Sequence, residues 1–296
     1  MAADGAVRFV PRPAPAPRCG RCDAPSLPHR RTRRVLGRLD RSPGPVRPSV
    51  RTVRTAGFAP FPSSPPSGIS FVDPAALAKH VTELDALGFQ VHFHALGDRA
   101  VREALDAVAA ARSVNGFRDT GHHLAHLQVV HPDDVARFRV LGATATVQAL
   151  WAAHERQMDE LTCPSWARNG PPCSIRSVIC SAPAPRSPPA ATGRSAAPTR
   201  QALHVAVNRR APDAPEGTPV FLPEQRVDLS AAIAAYTAGS AYANHLDDTG
   251  TVTPGKPADL VVVDRDPFEG PPEGIAATRV LHTFVGGVRV YAAPDA

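Results

Sequence analysis

The architecture follows from two stretches, VHFHALGDRAV (91–101) and HHLAHLQVVHPDD (122–134), each of which reads as a short apolar strand ending in histidine and running into a helix. His94 and His126 are 32 residues apart, about the length of one β-strand plus one α-helix. In a (β/α) barrel the ends of successive strands open onto one face, where catalysis takes place. Two imidazoles at that face predict a metal site, and metal-assisted hydrolysis is the chemistry that such a site supports.

The residues around these stretches continue the alternation of helix and strand. Asp73 and Pro74 are the residue types of a helix cap and a first helical residue, and Gly88 closes the predicted helix. The predicted elements that follow are a strand at 89–94, a helix at 99–111, a strand at 124–129, a helix at 132–141 closed by Gly142, and a strand at 143–148. Short loops between them predict a parallel sheet with helices outside it. We therefore expect an α/β fold, an incomplete TIM-like (β/α) barrel over 70–162.

The C-terminal part has a different, β-rich pattern. Its predicted elements are a helix over 229–243, a turn over 250–256, a strand over 260–264, and the hairpin Val280–Val285 with Val288–Tyr291 through Gly286-Gly287. We assign 201–249 to the last barrel helix region. We expect 250–296 to supply C-terminal strands of a small, composite β-sandwich.

Composition indicates that part of the chain stays outside the core. Proline accounts for 33 of 296 residues, about twice the usual share of roughly 5%. Residues 6–69 are rich in Pro, Arg and Ser and show no period of 2 or 3.6, so 1–69 is predicted to be a disordered segment. The pattern is lost again over 163–200, which we interpret as an irregular loop.

The net charge of +6 comes from the N-terminal segment rather than from one face of a domain. The Arg-rich stretch 18–54 raises the alternative of a nucleic-acid binder. Phe9 is the only aromatic residue before Phe58, and this lack of interleaved stacking side chains argues against it. Without an apolar run of 18 residues or an N-terminal apolar region, we expect no membrane span or signal peptide and a cytoplasmic location.

Five residues are candidates for the site. At i and i+2 on a strand, His92 and His94 share one face. We interpret His94, and His126 at the corresponding place in the next unit, as metal ligands. His92 and His122 either contact the substrate or support a ligand, or they are histidines packed in the sheet and its loops. Asp98 either orients a ligand or caps the N-terminus of a helix.

These segments resemble the amidohydrolase superfamily, specifically its YtcJ-like branch (amidohydrolase family 3). Residues 91–101 resemble the strand end HxHAxGDRA of that branch, and 122–134 resemble its RHxxxHLQ segment. The stretch YTAGSAYANHLDDTGTVTPGKPADLVVVDRDPF (236–268) resembles the motif with which the superfamily chain leaves the barrel and enters a small β-sandwich. The resemblance covers about 70–162 and 201–292.

The resemblance implies a metal-dependent amidohydrolase that uses a metal-activated water, with zinc as the expected cation, to cleave non-peptide C–N bonds of a small-molecule substrate. By position, His94 and His126 would be the ligands. The family also uses an HxH on the first strand, a lysine on a middle strand and an aspartate on the last, and this sequence shows none of them at a matching place. We therefore assign no catalytic residue and expect activity to be impaired in this truncated chain. The alternative is an inactive remnant, a pseudoenzyme fragment.

An open half-barrel also leaves strand edges that favour a homo-oligomer.

The missing aspartate has an explanation in the reading frame. One set of synonymous codons for Cys173–Arg200, read two bases later, encodes a segment containing GSDWP. That segment resembles the family strand that carries the aspartate of the metal site. We hypothesise that 163–200 is translated out of frame between two compensating indels. Coding DNA with codons incompatible with the shifted reading would contradict this.

Overall fold

The computed structural model describes residues 50–51, 69–70, 72–155, 159–160, 190–191 and 199–295. The predicted disordered segment 1–69 and the irregular, out-of-frame segment 163–200 lie almost wholly outside these residues, so both stay predictions. The same holds for the domain bounds. In the described part of the chain, no helix is both long and apolar enough to cross a membrane.

The described elements alternate in the middle of the chain and become β-rich at its end. The strands are β1 (Val50–Arg51), β2 (Ile69–Ser70), β3 (His92–Ala95), β4 (His123–His126), β5 (Thr144–Val147), β6 (Ala190–Ala191), β7 (Leu260–Val263), β8 (Val280–Val285) and β9 (Val288–Ala292). The helices are α1 (Pro74–Ala86), α2 (Asp98–Asn115), α3 (Pro132–Leu141), α4 (Thr199–Asn208), α5 (Leu229–Ala234) and α6 (Ser240–Ala243). A π-helical turn, Ala235–Gly239, joins α5 to α6, and short 3-10 turns lie at Ala149–Trp151, Pro223–Gln225 and Pro272–Ala277.

Helices α1 and α3 begin where their capping residues predict. The carboxylate of Asp73 accepts hydrogen bonds from the backbone N–H groups of Ala75 and Ala76, each at 3.0 Å. His131 caps α3 in the same way by accepting from the N–H of Asp133. Gly142 ends α3 with a φ of 65°, a left-handed conformation that glycine adopts without steric cost.

Several predicted boundaries were wrong, and the strand predicted over 89–94 begins only at His92. The strand predicted over 124–129 ends at His126, because His126 and Leu127 adopt left-handed backbone conformations, with φ of 76° and 48°, that no strand can continue. The helix predicted over 99–111 continues to Asn115 and stops before Gly116. Helix α4 was not predicted, because its first turn adjoins the segment in which the sequence loses its period.

Strands β3, β4, β5 and β6 form a parallel sheet in that order, which confirms the expected α/β fold. One face of the sheet carries Phe93, Leu124 and Ala145, which are buried in the main hydrophobic core together with apolar residues of α1, α2 and α3. The opposite face carries His92 and the residues that pair with it in register, His123 and Thr144. The two faces therefore separate an apolar, helix-covered side from a polar side.

A second hydrophobic cluster joins α4 and α5 to the end of the sheet. It is formed by Ala149, Ala202, Leu203, Ala206, Val227, Ala232, Ala235, Tyr236 and Ile275. A buried amide also links the two parts of the chain. Gln90 donates from Nε2 to the carbonyl of Gly121 at 2.6 Å and to that of Ala243 at 2.9 Å. The C-terminal end of α6 is thus fixed at the amino ends of β3 and β4.

Strands β7, β8 and β9 form a separate antiparallel sheet. The predicted hairpin is confirmed, with Gly286 and Gly287 both at positive φ, as a two-residue turn of this kind requires. All five residues of β9 are exposed, and β9 lies at the edge of this sheet among the described strands. The predicted homo-oligomer stays a prediction.

Gly250 provides a test of how tightly the π-helical turn packs. Its φ is 81°, and a Cβ atom there would lie 2.7 Å from the Cβ of Ala241 and 2.9 Å from the Cα of Ala238. We expect Gly250→Ala to lower the free energy of unfolding by about 3 kcal/mol, of which about 1–2 kcal/mol is backbone strain and the rest is overpacking. Urea unfolding of the full chain measures it. Gly255→Ala is the matched control, because Gly255 also has a positive φ but nothing within 4 Å of its Cβ position. An equal loss of unfolding free energy in the two variants would contradict the overpacking predicted at Gly250.

Candidate functional site

The polar face of the parallel sheet gathers three histidine rings. His92 and His94 alternate with Phe93 along β3, so the apolar ring points into the core and the two imidazoles point away from it. The ring centroids of His92 and His94 lie 4.8 Å apart, edge to face. The ring of His123, opposite His92 in the register, lies 4.5 Å from the ring of His92.

His94 and His126 meet at the carboxyl ends of their strands. The Nδ1 atom of His94 lies 2.8 Å from the Nε2 atom of His126. His126 pairs in register with Ala95, which is buried in the core on the helix-covered side. Regular alternation would therefore turn the ring of His126 toward the helices. In the structure, the backbone at His126 is left-handed, and its ring contacts His94 instead. Such a conformation costs about 1–3 kcal/mol in a residue other than glycine and is concentrated at functional sites.

The second nitrogen of His126 is also held. Its Nδ1 atom lies 2.7 Å from Oε1 of Gln148, the residue that directly follows β5. The ring of Trp151, in the 3-10 turn after Gln148, lies 6.1 Å from the His126 ring at an interplanar angle of 32°. Sequence reasoning placed Gln148 only at the end of a predicted strand. A polar residue directly after a parallel strand was the signal that could have identified it.

Burial keeps both imidazoles in their neutral form. Burial lowers the pKa of His94 below its usual value, and the nearby His126 lowers it further. The pKa of His126 is also lowered by burial, although the hydrogen bond to Gln148 acts in the opposite direction. Neutral rings have a free nitrogen lone pair at physiological pH, which is the form that binds metals.

Two further candidates occupy different surroundings. His122 is completely buried, and both of its ring nitrogens have partners within the protein. Its Nδ1 accepts from the backbone N–H of Val91 at 3.0 Å, and its Nε2 lies 2.9 Å from the carboxylate of Asp85. His122 therefore has no nitrogen left for a cation. Asp98 is the first residue of α2 and accepts from the N–H of Arg99 at 2.7 Å, as a residue at a helix N-terminus does.

Asp85 is the centre of a buried polar cluster that sequence reasoning missed. Its carboxylate accepts hydrogen bonds from Arg112 and Asn115, each at 2.9 Å, from the hydroxyl of Thr120 at 3.0 Å and from His122. Burial alone would raise the pKa of Asp85, but the hydrogen bonds from His122, Asn115 and Thr120 outweigh it and hold the pKa well below the usual range. The cluster joins α1, α2 and the approach to β4, so it fixes the position of the strand that carries His126.

The polar face offers the right kind of ligand for a cation, but only two clear ones. Imidazole nitrogens suit zinc and other transition metals, and a hydrolytic zinc site uses three or four ligands. Within the described ranges, no group of three or more His, Cys, Asp or Glu side chains is placed to hold a metal ion. The hydroxyls of Thr144 and Thr146 are buried and have no hydrogen-bond partner in the part of the chain that the structure describes. Since Thr146 pairs with Ala125, it lies two strands from His94 on the same face.

Comparison with known proteins identifies relatives over most of the chain. The family model Amidohydro_3, described as the amidohydrolase family, matches residues 50–291. Protein LONG AFTER FAR-RED 3 of Arabidopsis thaliana is 28% identical over 236 residues, which cover 76% of this chain and 38% of the relative. The exoenzymes regulatory protein AepA of Pectobacterium carotovorum subsp. carotovorum is 29% identical over 116 residues, 38% of this chain and 21% of the relative. The chain thus spans less than half the length of the curated relatives it matches.

Solved structures resemble this chain at low sequence identity. An uncharacterized metal-dependent hydrolase from Pyrococcus horikoshii OT3 superimposes with a TM-score of 0.55 at 21% identity, over 76% of this chain and 43% of that structure. The ochratoxinase of A. niger superimposes with a TM-score of 0.48 at 17% identity, over 75% of this chain and 46% of that structure. At 21% identity, the likeness to the Pyrococcus horikoshii protein concerns the fold alone.

Proposed function

Because the chain belongs to the amidohydrolase family, we propose that it acts as a metal-dependent hydrolase in which His94 and His126 hold a divalent cation. The family match over 50–291 supports the hydrolase class. The Pyrococcus horikoshii protein with the same fold is described as metal-dependent, which is the reason for proposing a cation here. Zinc is the cation we propose, since imidazole is among its preferred ligands.

The observation that carries this proposal is the 2.8 Å approach of the two histidine nitrogens. Two ring nitrogens at this separation, from the ends of adjacent parallel strands, can ligate one cation. Both side chains are partly buried, and both are held neutral by lowered pKa values. The left-handed backbone at His126, which accompanies this contact, is energetically costly.

The side chains around the pair suggest how the chain would perform the reaction. A bound cation would polarise the carbonyl of the substrate and activate a water molecule. His94 and His126 would bind the cation, and Gln148 holds the ring of His126. The hydroxyls of Thr144 and Thr146 lie on the same face as His94 and are available to donate to a polar group of the substrate. We propose a small molecule with a non-peptide C–N bond as that substrate.

A second candidate function is a catalytically inactive member of the family. The specific observation in its favour is that the described residues place no third His, Cys, Asp or Glu beside the histidine pair. A site with two protein ligands would bind a cation weakly and would not orient a substrate. Under this alternative, the chain keeps the fold and the pair but does not turn over.

Zinc affinity of the full chain, measured by competition with a chromophoric chelator, tests the metal assignment. Loss of a residue that only supports a metal ligand can weaken metal binding by roughly 100-fold. We therefore expect His94→Ala and His126→Ala, which remove the ligands themselves, each to weaken zinc binding by at least that factor. His80→Ala is the control, because His80 is exposed on α1, where its Nδ1 atom lies 3.8 Å from the carboxylate of Glu83. A wild-type chain that binds no zinc, or His94→Ala binding as tightly as wild type, would contradict the assignment.

Turnover separates the two candidate functions. The zinc-loaded chain is assayed against a panel of N-acyl and ureido compounds, with product formation followed by chromatography. Hydrolysis that disappears on chelation and in His94→Ala supports the enzyme. Histidine-dependent zinc binding without hydrolysis of any compound supports the inactive member.

A further inference from the structure

We propose that Gln148 is a positioning residue that fixes the tautomer of His126, so that the Nε2 atom of His126 is the one presented to the cation. The consequence for metal binding rests on the proposed function. The tautomer itself is a property of the metal-free chain and can be measured without any cation. The two ideas can therefore fail separately.

The contact between Gln148 and His126 determines where the proton lies. A carboxamide oxygen only accepts hydrogen bonds, so the 2.7 Å contact between Oε1 of Gln148 and Nδ1 of His126 requires a hydrogen on Nδ1. A neutral imidazole has one N–H, which leaves a lone pair on Nε2. The Nδ1 atom of His94 lies 2.8 Å from this Nε2 atom and donates to its lone pair when no cation is bound. The three side chains thus form one directed chain of hydrogen bonds.

His126 lies where regular strand geometry ends, so the alternation of side chains along a strand does not position its ring. It is the last residue of β4, and both it and Leu127 have left-handed φ values. Gln148 is well placed to supply the constraint. Val147 pairs in register with His126, and Gln148 follows at the point where the 3-10 turn Ala149–Trp151 begins. The amide is therefore carried between two regular elements rather than on a long loop.

The chemistry of the amide fits this role. Metal-binding histidines usually donate their second N–H to a carboxylate, a backbone carbonyl or water, which fixes the tautomer and the ring orientation. Glutamine offers the same acceptor geometry as glutamate without adding a negative charge beside the cation. This predicts that glutamate, but not leucine, can replace Gln148.

The test uses the full chain, metal-free, with 15N-labelled histidine. The nitrogen shifts and the two-bond couplings to the ring protons report the tautomer of each histidine, and His126→Asn identifies the signals of His126. The variants are Gln148→Leu, which removes the acceptor, and Gln148→Glu, which keeps it. Thr146→Val is the matched control, because Thr146 lies on the same sheet face and its hydroxyl bonds neither histidine nitrogen.

We expect a pure Nδ1–H tautomer at His126 in the wild type, in Gln148→Glu and in Thr146→Val. In Gln148→Leu we expect a mixture of tautomers, and a zinc affinity about 10- to 100-fold weaker than that of the wild type. An Nε2–H tautomer in the wild type overturns the proposal, and this result does not depend on whether any variant folds. An unchanged tautomer in Gln148→Leu also overturns it. A wild-type chain with the Nδ1–H tautomer but no zinc binding would instead overturn the proposed function alone.

Discussion

Asp85→Ala is expected to lower the free energy of unfolding by about 3–5 kcal/mol, the usual cost of breaking a buried ion pair by removing one partner. Asp85 is fully buried, and the side chain of its partner Arg112 is nearly so. Without the carboxylate, the guanidinium loses its counter-ion, and Asn115, Thr120 and His122 each lose an acceptor. Urea unfolding followed by circular dichroism measures the loss.

Asp106→Ala is the control for this prediction. Asp106 forms an ion pair with Arg137 on the surface, and both side chains are solvent-accessible. Exposed pairs contribute at most about 1 kcal/mol, so the control should barely change stability. A loss for Asp85→Ala no larger than that for Asp106→Ala would show that the buried cluster contributes little.

The stabilisation by Asp85 should also depend on pH. Its pKa is lowered in the folded chain, so the unfolded chain binds a proton at a higher pH than the folded chain does. The contribution is fully present above the unfolded pKa of about 3.9 and is lost as the pH falls toward the folded value. The stability difference between wild type and Asp85→Ala should therefore narrow in acid. A difference that widens below pH 4 would contradict this sign.

Phe93→Ala is expected to cost about 3–5 kcal/mol, because it leaves a cavity in the main core. Phe93 is only 6% exposed and packs against the helices from the middle of β3. Phe268→Ala is the matched control, since Phe268 is 52% exposed and lies outside the buried clusters. Equal changes in the unfolding midpoints of the two variants would contradict the burial argument.

The effect of Phe93→Ala should extend to the histidine pair. Phe93 lies between His92 and His94 in sequence, and its ring anchors the strand from the side opposite to theirs. Loss of that anchor should loosen β3 and weaken zinc binding in conditions where the variant is still folded. Unchanged zinc affinity in the folded variant would show that the position of His94 does not depend on Phe93.

Local signals in the sequence predicted the elements well. The bounds of α1 and α3 follow from Asp73, Pro74, His131 and Gly142, because a cap acts only on the residues next to it. The approach of His94 and His126 follows from their spacing, because parallel strands with short loops bring successive strand ends together. The family resemblance, noted from the motifs, agrees with the match over 50–291.

Features that depend on distant residues could not be predicted in this way. Asp85 and His122 are 37 residues apart, and neither has a neighbour in sequence that indicates a buried carboxylate. The left-handed backbone at His126 has no signature in the sequence, since residues other than glycine adopt it uncommonly. Gln148 was predicted only as a strand residue because its role depends on a ring from another strand.

The main core has a consequence for how the chain acquires its structure. Its buried residues all lie between Leu77 and Ala145, and the Asp85 cluster joins positions within the same stretch. These contacts stay within one stretch of the chain, so no loop longer than that stretch has to close before they form. This stretch is therefore expected to form, and to open, as one unit. Its backbone amides should be the last in the described chain to exchange with deuterated solvent, while those of the exposed strand β9 should be among the first.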